Sequence, residues 1–184
     1  MKKVGIVMGS DSDLPILRKT MDTLKQLDIP FECHVFSAHR TPEEARDFAV
    51  NARKNGFGCL IAAAGMAAHL AGAIAANTTL PVIGIPVKSA NLGGMEALLS
   101  TVQMPSGIPV ATVAIDGGVN AALLALEILA VADDDLAEKL IAKRKNDTAV
   151  VLEKNKAIEE KQVAEQKVLT AKQELEKERI EAEK

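Results

Sequence analysis

The feature that most limits what this chain can become is an alternation. Five short runs, Val4–Met8, Phe31–Phe36, Cys59–Ala63, Val82–Ile85 and Ala111–Ile115, each give way to small or polar residues and then to a segment of helical period. Leu17, Met21, Leu24 and Leu27 mark that period over residues 14–27, and Ala45, Phe48, Ala49 and Ala52 mark it over 41–54. Residues 69–76, 94–100 and 120–132 supply three further helical stretches. Short apolar runs without polar alternation suit strands covered on both faces, as in a parallel sheet flanked by helices. The order therefore predicts an α/β fold, a doubly wound open parallel sheet with helices on both faces. Aromatic residues make up 2% of the chain and Trp and Tyr are absent, so Val, Ile, Leu, Ala and Met must fill the core.

The pattern changes near Asp133. Asp133-Asp134-Asp135 opens a polar helix, and residues 147–184 are rich in Glu, Lys, Ala and Gln with neither Gly nor Pro. Val150, Ala157, Ala164 and Ala171 share one heptad position, but Lys154 and Lys161 interrupt the register of Val168, Leu175 and Ala182. This reads as a solvated helix rather than a committed coiled coil. The chain thus divides into an α/β domain over 1–145, which holds the candidate site, and a charged helical extension over 146–184. The helix of residues 120–132 is apolar nearly all round, with Glu127 its only charge, so it is expected to bury a second face against another copy of the chain.

Several classes of function fall away. A net charge of -3, with no basic block and no Tyr or Trp for stacking, argues against nucleic acid as the main partner. No stretch reaches the roughly 20 apolar residues of a membrane span, and the N-terminal run is too short for a signal peptide's core. The cytoplasm is the expected location. Cys33 and Cys59 lie in separate runs with no metal-ligand spacing, so both are expected as buried free thiols in a reducing compartment. Three histidines without a paired Cys or Asp cluster predict no metal site.

In a doubly wound sheet, ligands gather beyond the carboxyl ends of the strands. That places the chemistry in the loops. Gly9-Ser10-Asp11-Ser12-Asp13 offers hydroxyls and N–H groups near a helix start, which suit a phosphate. It lacks the dinucleotide fingerprint and the lysine-bearing phosphate loop. Ser10 and the helix amides would take the phosphate and Asp13 the ribose hydroxyls; alternatively, Ser12 or Asp13 simply caps the helix. In Ser37-Ala38-His39-Arg40, the arginine can grip a phosphate bidentately and histidine is the side chain suited to moving protons near neutral pH. Ser37 can orient either neighbour. Thr41, Pro42 and Glu44 then read as a helix start with a capping box.

The third loop, Ala64-Gly65-Met66-Ala67-Ala68-His69-Leu70, is almost all small and can bring backbone amides around a planar ring. His69 either serves the helix it opens or bonds a ligand. Pro86–Gly94 reads as a mobile cover ending in a flexible glycine pair, and Gln103–Pro109 as a stiff loop beside the site.

Taken together, GSDSD at 9–13, SAHRTP at 37–42, AGMAAHLAG at 64–72, PVKSA at 86–90, QMPSGIPV at 103–110 and NAALLA at 120–125 resemble the class I N5-carboxyaminoimidazole ribonucleotide mutases of purine biosynthesis, the PurE family. The resemblance implies a flavodoxin-like fold, a homo-octamer, and a reaction needing no metal or cofactor. It moves a carboxylate from the exocyclic nitrogen of an aminoimidazole ribonucleotide to ring carbon C4. It implies His39 as general acid/base, with Ser10 and Arg40 on the phosphate and Asp13 on the ribose. Ser12, Ser37, Ala38, Ala64, Gly65, Met66, Ala67, His69, Leu70 and Ser89 complete the substrate site, and His69 or Ser89 can act on a neighbouring subunit's substrate. Relatives that add free CO2 typically carry Lys-Gly-Pro where this chain has Arg40-Thr41-Pro42. The chain also departs from the family at Met66, where glycine is usual, at Ala71, where proline is usual, and in a shorter Asp116–Val119 segment. A carboxylase using free CO2 and a non-catalytic nucleotide-binding protein are the alternatives.

Overall fold

A computed structural model describes residues 2–182. The five runs form one parallel sheet from β1 (Lys3–Met8), β2 (Phe31–Val35), β3 (Phe57–Gly65), β4 (Val82–Val87) and β5 (Ala111–Thr112). Their order is β2-β1-β3-β4-β5, with every neighbouring pair parallel. The helices are α1 (Leu14–Gln26), α2 (Pro42–Asn51), α3 (Leu70–Ala75), α4 (Met95–Val102), α5 (Gly118–Ala130) and α6 (Asp134–Ala182). Each parallel crossover carries a helix, and the order reverses where β1 leads to β2 on one side and β3 follows on the other. Such a switch point opens a crevice at the strand ends.

The core follows the runs. β4 is buried along its whole length, and β1 is buried from Val4 onward. Close approach depends on Gly5, where a Cβ would lie 2.6 Å from a Leu60 methyl and 2.8 Å from the Phe48 ring. Phe36, Phe48 and Phe57 join His34 in a chain of ring contacts, with His34 stacked on Phe36 at 5.1 Å. His34 is thus part of the packing at the β2 edge. Cys59 is buried, and desolvation pushes its thiol up to about 12. Cys33 is only half-buried, because β2 is an edge strand with one face open.

Three elements differ from expectation. β5 is two residues long rather than five; beyond it, Val113 N–H still reaches Gly84 O at 3.1 Å and Asp116 N–H reaches Pro86 O at 2.9 Å, but the ladder is irregular. Helix α2 stops at Asn51. Helix α4 carries an exposed apolar row, Met95, Leu99 and Val102, extended by Leu92 in the turn before it, that its composition alone did not single out. On α5, Ala121, Ala122, Ala125 and Leu126 are buried, Leu123, Leu124, Ile128 and Leu129 are half-buried, and Val119 is exposed.

The chain divides into compact units Met1–Lys139 and Leu140–Lys184, where composition alone drew the line at 145/146. Within the first, Leu136 is fully buried and Lys139 Nζ donates to Leu27 O at 3.1 Å and to Asp28 Oδ2 at 3.3 Å. The second is helical to Ala182, and every side chain from Arg144 to Ala182 is exposed. Its ion pairs Lys143–Asp147, Lys156–Glu160 and Lys161–Glu165 are spaced i,i+4 with the base first, the weaker order on a helix.

Candidate active site

The loop after β1 is built around a reciprocal cap. Ser10 Oγ accepts the Ser12 N–H at 3.3 Å, and Ser10 N–H donates to Asp13 Oδ2 at 3.3 Å. Ser10 thus caps a single 3-10 turn, Asp11–Asp13, with Asp13 closing its box; the sequence had pointed to Ser12 or Asp13 as the cap of α1, and Asp13 holds that position but makes no side-chain capping bond to α1. Its cost is burial: Asp13 is 6% exposed. Desolvation raises its carboxyl above the usual carboxylate value, against the hydrogen bonds from Ser10 and Ser12. Asp11 is exposed and lies outside the cavity lining, so of the two carboxylates only Asp13 faces a ligand.

The loop after β2 is closed differently. The capping box read at Thr41 and Glu44 is not formed. Thr41 Oγ1 instead turns back, accepting the Ser37 N–H at 2.8 Å and donating to Ser37 O at 3.3 Å. Ser37 Oγ in turn accepts the N–H groups of His39 at 3.3 Å and Arg40 at 3.1 Å. Serine side chains commonly fold a backbone turn this way. The turn fixes the main chain of residues 37–41 and leaves the His39 and Arg40 side chains exposed. Arg40 Nη2 donates to Gly9 O at 2.9 Å, tying the two loops together. One such bond leaves most of the five guanidinium N–H donors for a ligand.

On the other side lies the small-residue loop after β3. A Cβ at Gly65 would crowd Val87 O at 3.3 Å, so the glycine lets β3 and β4 end side by side. Met66 holds φ +55 and is 61% exposed at the cavity rim, so it does not pack beneath the site. The left-handed conformation costs a non-glycine residue about 1 kcal/mol. His69 precedes α3 and meets the His39 ring edge-on, with centroids 5.4 Å apart and planes at 88°.

After β4, Lys88 N–H donates to Asp116 Oδ1 at 2.9 Å, and Ser89 Oγ donates to Glu96 Oε1. Gly94, expected as half of a flexible pair, is buried with φ +93; a Cβ there would meet Ile115 at 2.9 Å and the Lys88 Cα at 3.1 Å. Gly93 is open, with nothing within 4 Å of its Cβ position.

These four loops enclose one cavity of about 610 Å³. Ser10, Ser12 and Asp13 line it from β1; Ser37, Ala38, His39 and Arg40 from β2; Ala64, Gly65, Met66, Ala67, His69 and Leu70 from β3; and Ser89 from β4. Gly9, Val87 and Lys88 complete the lining. A second cavity of about 460 Å³ shares His39, Ala67 and His69 and is bounded further by Met104, Pro105 and Ile108. The stiff loop at 103–109 thus faces His39 from behind. Sequence reasoning missed Glu96 and Asp116, which touch the lining without belonging to it; Glu96 stands seven residues from Ser89, and no local pattern links them. Among the described residues, no three His, Cys, Asp or Glu side chains gather as metal ligands.

Comparison with known proteins identifies the family of the chain. The family model for AIR carboxylase matches residues 3–150. The N5-carboxyaminoimidazole ribonucleotide mutase of Pyrococcus horikoshii is 54% identical over 157 residues, covering 85% of this chain and 89% of that protein. A phosphoribosylaminoimidazole carboxylase of Ogataea methanolica is 56% identical over 130 residues, which is 71% of this chain but 24% of that longer protein. The crystal structure of Treponema denticola PurE superposes with a TM-score of 0.73 at 28% identity, covering 82% of this chain and 94% of that one. On the extent of these matches, the chain belongs to the AIR carboxylase family, PurE.

Proposed function

We propose that this protein is an N5-carboxyaminoimidazole ribonucleotide mutase, moving the carboxylate from the exocyclic nitrogen to ring carbon C4. One observation carries the reading: a locked turn holds His39 and Arg40 side by side over a cavity with a buried carboxylate, Asp13, and a wall of small residues.

The proposed division of labour follows the loops. Arg40 and Ser10 hold the phosphate, Asp13 accepts from the ribose, and the base lies toward Ala64–Ala67. His39 gives a proton to the carbamate nitrogen, and the C–N bond breaks to release CO2. The electron-rich C4 of the aminoimidazole attacks the CO2, and His39 takes the proton from C4, so the ring regains aromaticity and the histidine its starting state. No net proton, electron pair or carboxyl donor is consumed. Neutral CO2 offers few handles, so confinement against small residues is what holds it near C4.

The exposed row on α4 and the half-buried face of α5 support self-association, and we propose a homo-octamer acting in the cytoplasm. A carboxylase using free CO2 is the second reading, favoured by the Ogataea relative's name. Presenting the N-carboxylated ribonucleotide without ATP, against the decarboxylated ribonucleotide with bicarbonate, separates them. The mutase reading predicts efficient conversion of the first alone. Turnover only with the second overturns it.

A further inference from the structure

The Glu96 carboxylate, outside the cavity, is hydrogen-bonded to a side chain that lines it. Ser89 Oγ donates to Glu96 Oε1, while Glu96 Oε2 is buried with no hydrogen-bond partner among the described residues. The chain reverses between them through Gly93 and Gly94, at φ +65 and +93, which returns the first turn of α4 to the end of β4. The other side of the loop is fixed where Lys88 N–H donates to Asp116 Oδ1 at 2.9 Å. Ser89 is therefore held from two directions.

A serine hydroxyl has one proton and two lone pairs. A carboxylate can only accept, so Glu96 takes that proton and leaves Ser89 to present lone pairs to the cavity. Strand order says which part of a ligand meets them. Arg40 and Ser10 stand on the β2 and β1 loops, whereas Ser89 follows β4, on the far side of the β3 loop. A ribonucleotide with its phosphate on Arg40 and Ser10 puts its base at the Ser89 end.

We infer that Glu96 is a positioning residue for the reaction, fixing Ser89 as an acceptor for an N–H donor on the substrate's base, the exocyclic nitrogen. This rests on the mutase reading. An acceptor there gains strength as the carbamate nitrogen takes its proton from His39, so the contact favours the transition state over bound substrate.

The test is a double-mutant cycle with Ser89→Ala and Glu96→Met, which removes the acceptor at similar side-chain length, read as kcat and KM on the N-carboxylated ribonucleotide together with melting temperature. Each single change lowers kcat/KM about tenfold, mainly through kcat, as loss of one charge-assisted contact implies. The double variant falls no further than Ser89→Ala alone, and melting points stay close to wild type. Additive losses, or normal kcat/KM in Glu96→Met, overturn the inference. Should Glu96→Met fail to fold, Glu96→Asp keeps the charge and withdraws the acceptor by one methylene, and the same criteria decide. Wild-type protein inactive on this substrate would remove the mutase reading and this inference together; normal wild-type turnover with an uncoupled cycle removes the inference alone.

Discussion

Two turns on the same sheet edge, Ser10–Asp13 and Ser37–Thr41, use hydroxyls, carboxylates and helix starts to opposite ends. In the first, the side chains cap the 3-10 turn that leads into α1, and the cap holds Asp13 inside the protein. In the second, Thr41 forgoes the cap and closes the loop before it, leaving His39 and Arg40 outward. The first turn stores an ionisable group under desolvation, and the second presents one to a ligand. Arg40, bonded to Gly9 O, makes the two a single platform. A helix-start motif thus does not say which way its hydroxyl will face; the competing partner, here the Ser37 main chain, decides.

The largest break in this comparison comes from Arg40→Ala, which removes both the proposed phosphate grip and the tie to Gly9 O. It should weaken ribonucleotide binding by about 10- to 100-fold, the scale of lost charge-assisted hydrogen bonds. Calorimetric titration reads this directly, and unchanged affinity would remove Arg40 from the phosphate site.

Asp13→Asn separates stability from function in the first turn. Burial raises the Asp13 carboxyl pKa in the folded chain, so the folded state holds that proton more tightly than the unfolded one. The resulting stability is fully present below the unfolded pKa and is lost as pH rises through the raised folded value. At neutral pH the ionised side chain is therefore a burden. The amide can still accept from Ser10 N–H, so the variant should melt above wild type at pH 7 and lose that advantage toward pH 3. Its kcat/KM should fall about tenfold with the proposed ribose acceptor weakened. Equal melting curves at both pH values would contradict the desolvated carboxylate.

In the second turn, Thr41→Ala should cost about 1 kcal/mol by orphaning the Ser37 N–H, with Thr41→Ser restoring it. Smallest of all is Glu44→Ala. With no capping box to lose, its effect on urea unfolding stays within about 0.5 kcal/mol, and a loss as large as that of Thr41→Ala would reinstate the box.

Much of this was legible beforehand, for physical reasons. Strands buried on both faces have to be apolar, so β1, β3 and β4 stand out in the chain, and the switch-point rule then directs attention to the loops at their ends. Those loops carry the residues singled out for the site, and all of them line one cavity. What stayed hidden depends on direction or distance. The turn of Thr41 is a choice between two acceptable partners. The left-handed backbone at Met66 has no mark in a run of small residues. The Ser89–Glu96 bond needs a reversal through two glycines that composition presents only as flexibility. β5 falls short because an edge strand has one neighbour to keep it regular.

The central claim is that His39 carries the proton while the rest of the platform holds the ribonucleotide. It is tested most directly by comparing wild type with His39→Asn in isomerisation of the N-carboxylated ribonucleotide without ATP, with binding measured on the same samples. The account predicts that the variant binds within a few-fold of wild type and loses roughly 100- to 10,000-fold in kcat, the range spanned by general acid–base groups. Near-normal isomerisation by His39→Asn would contradict it.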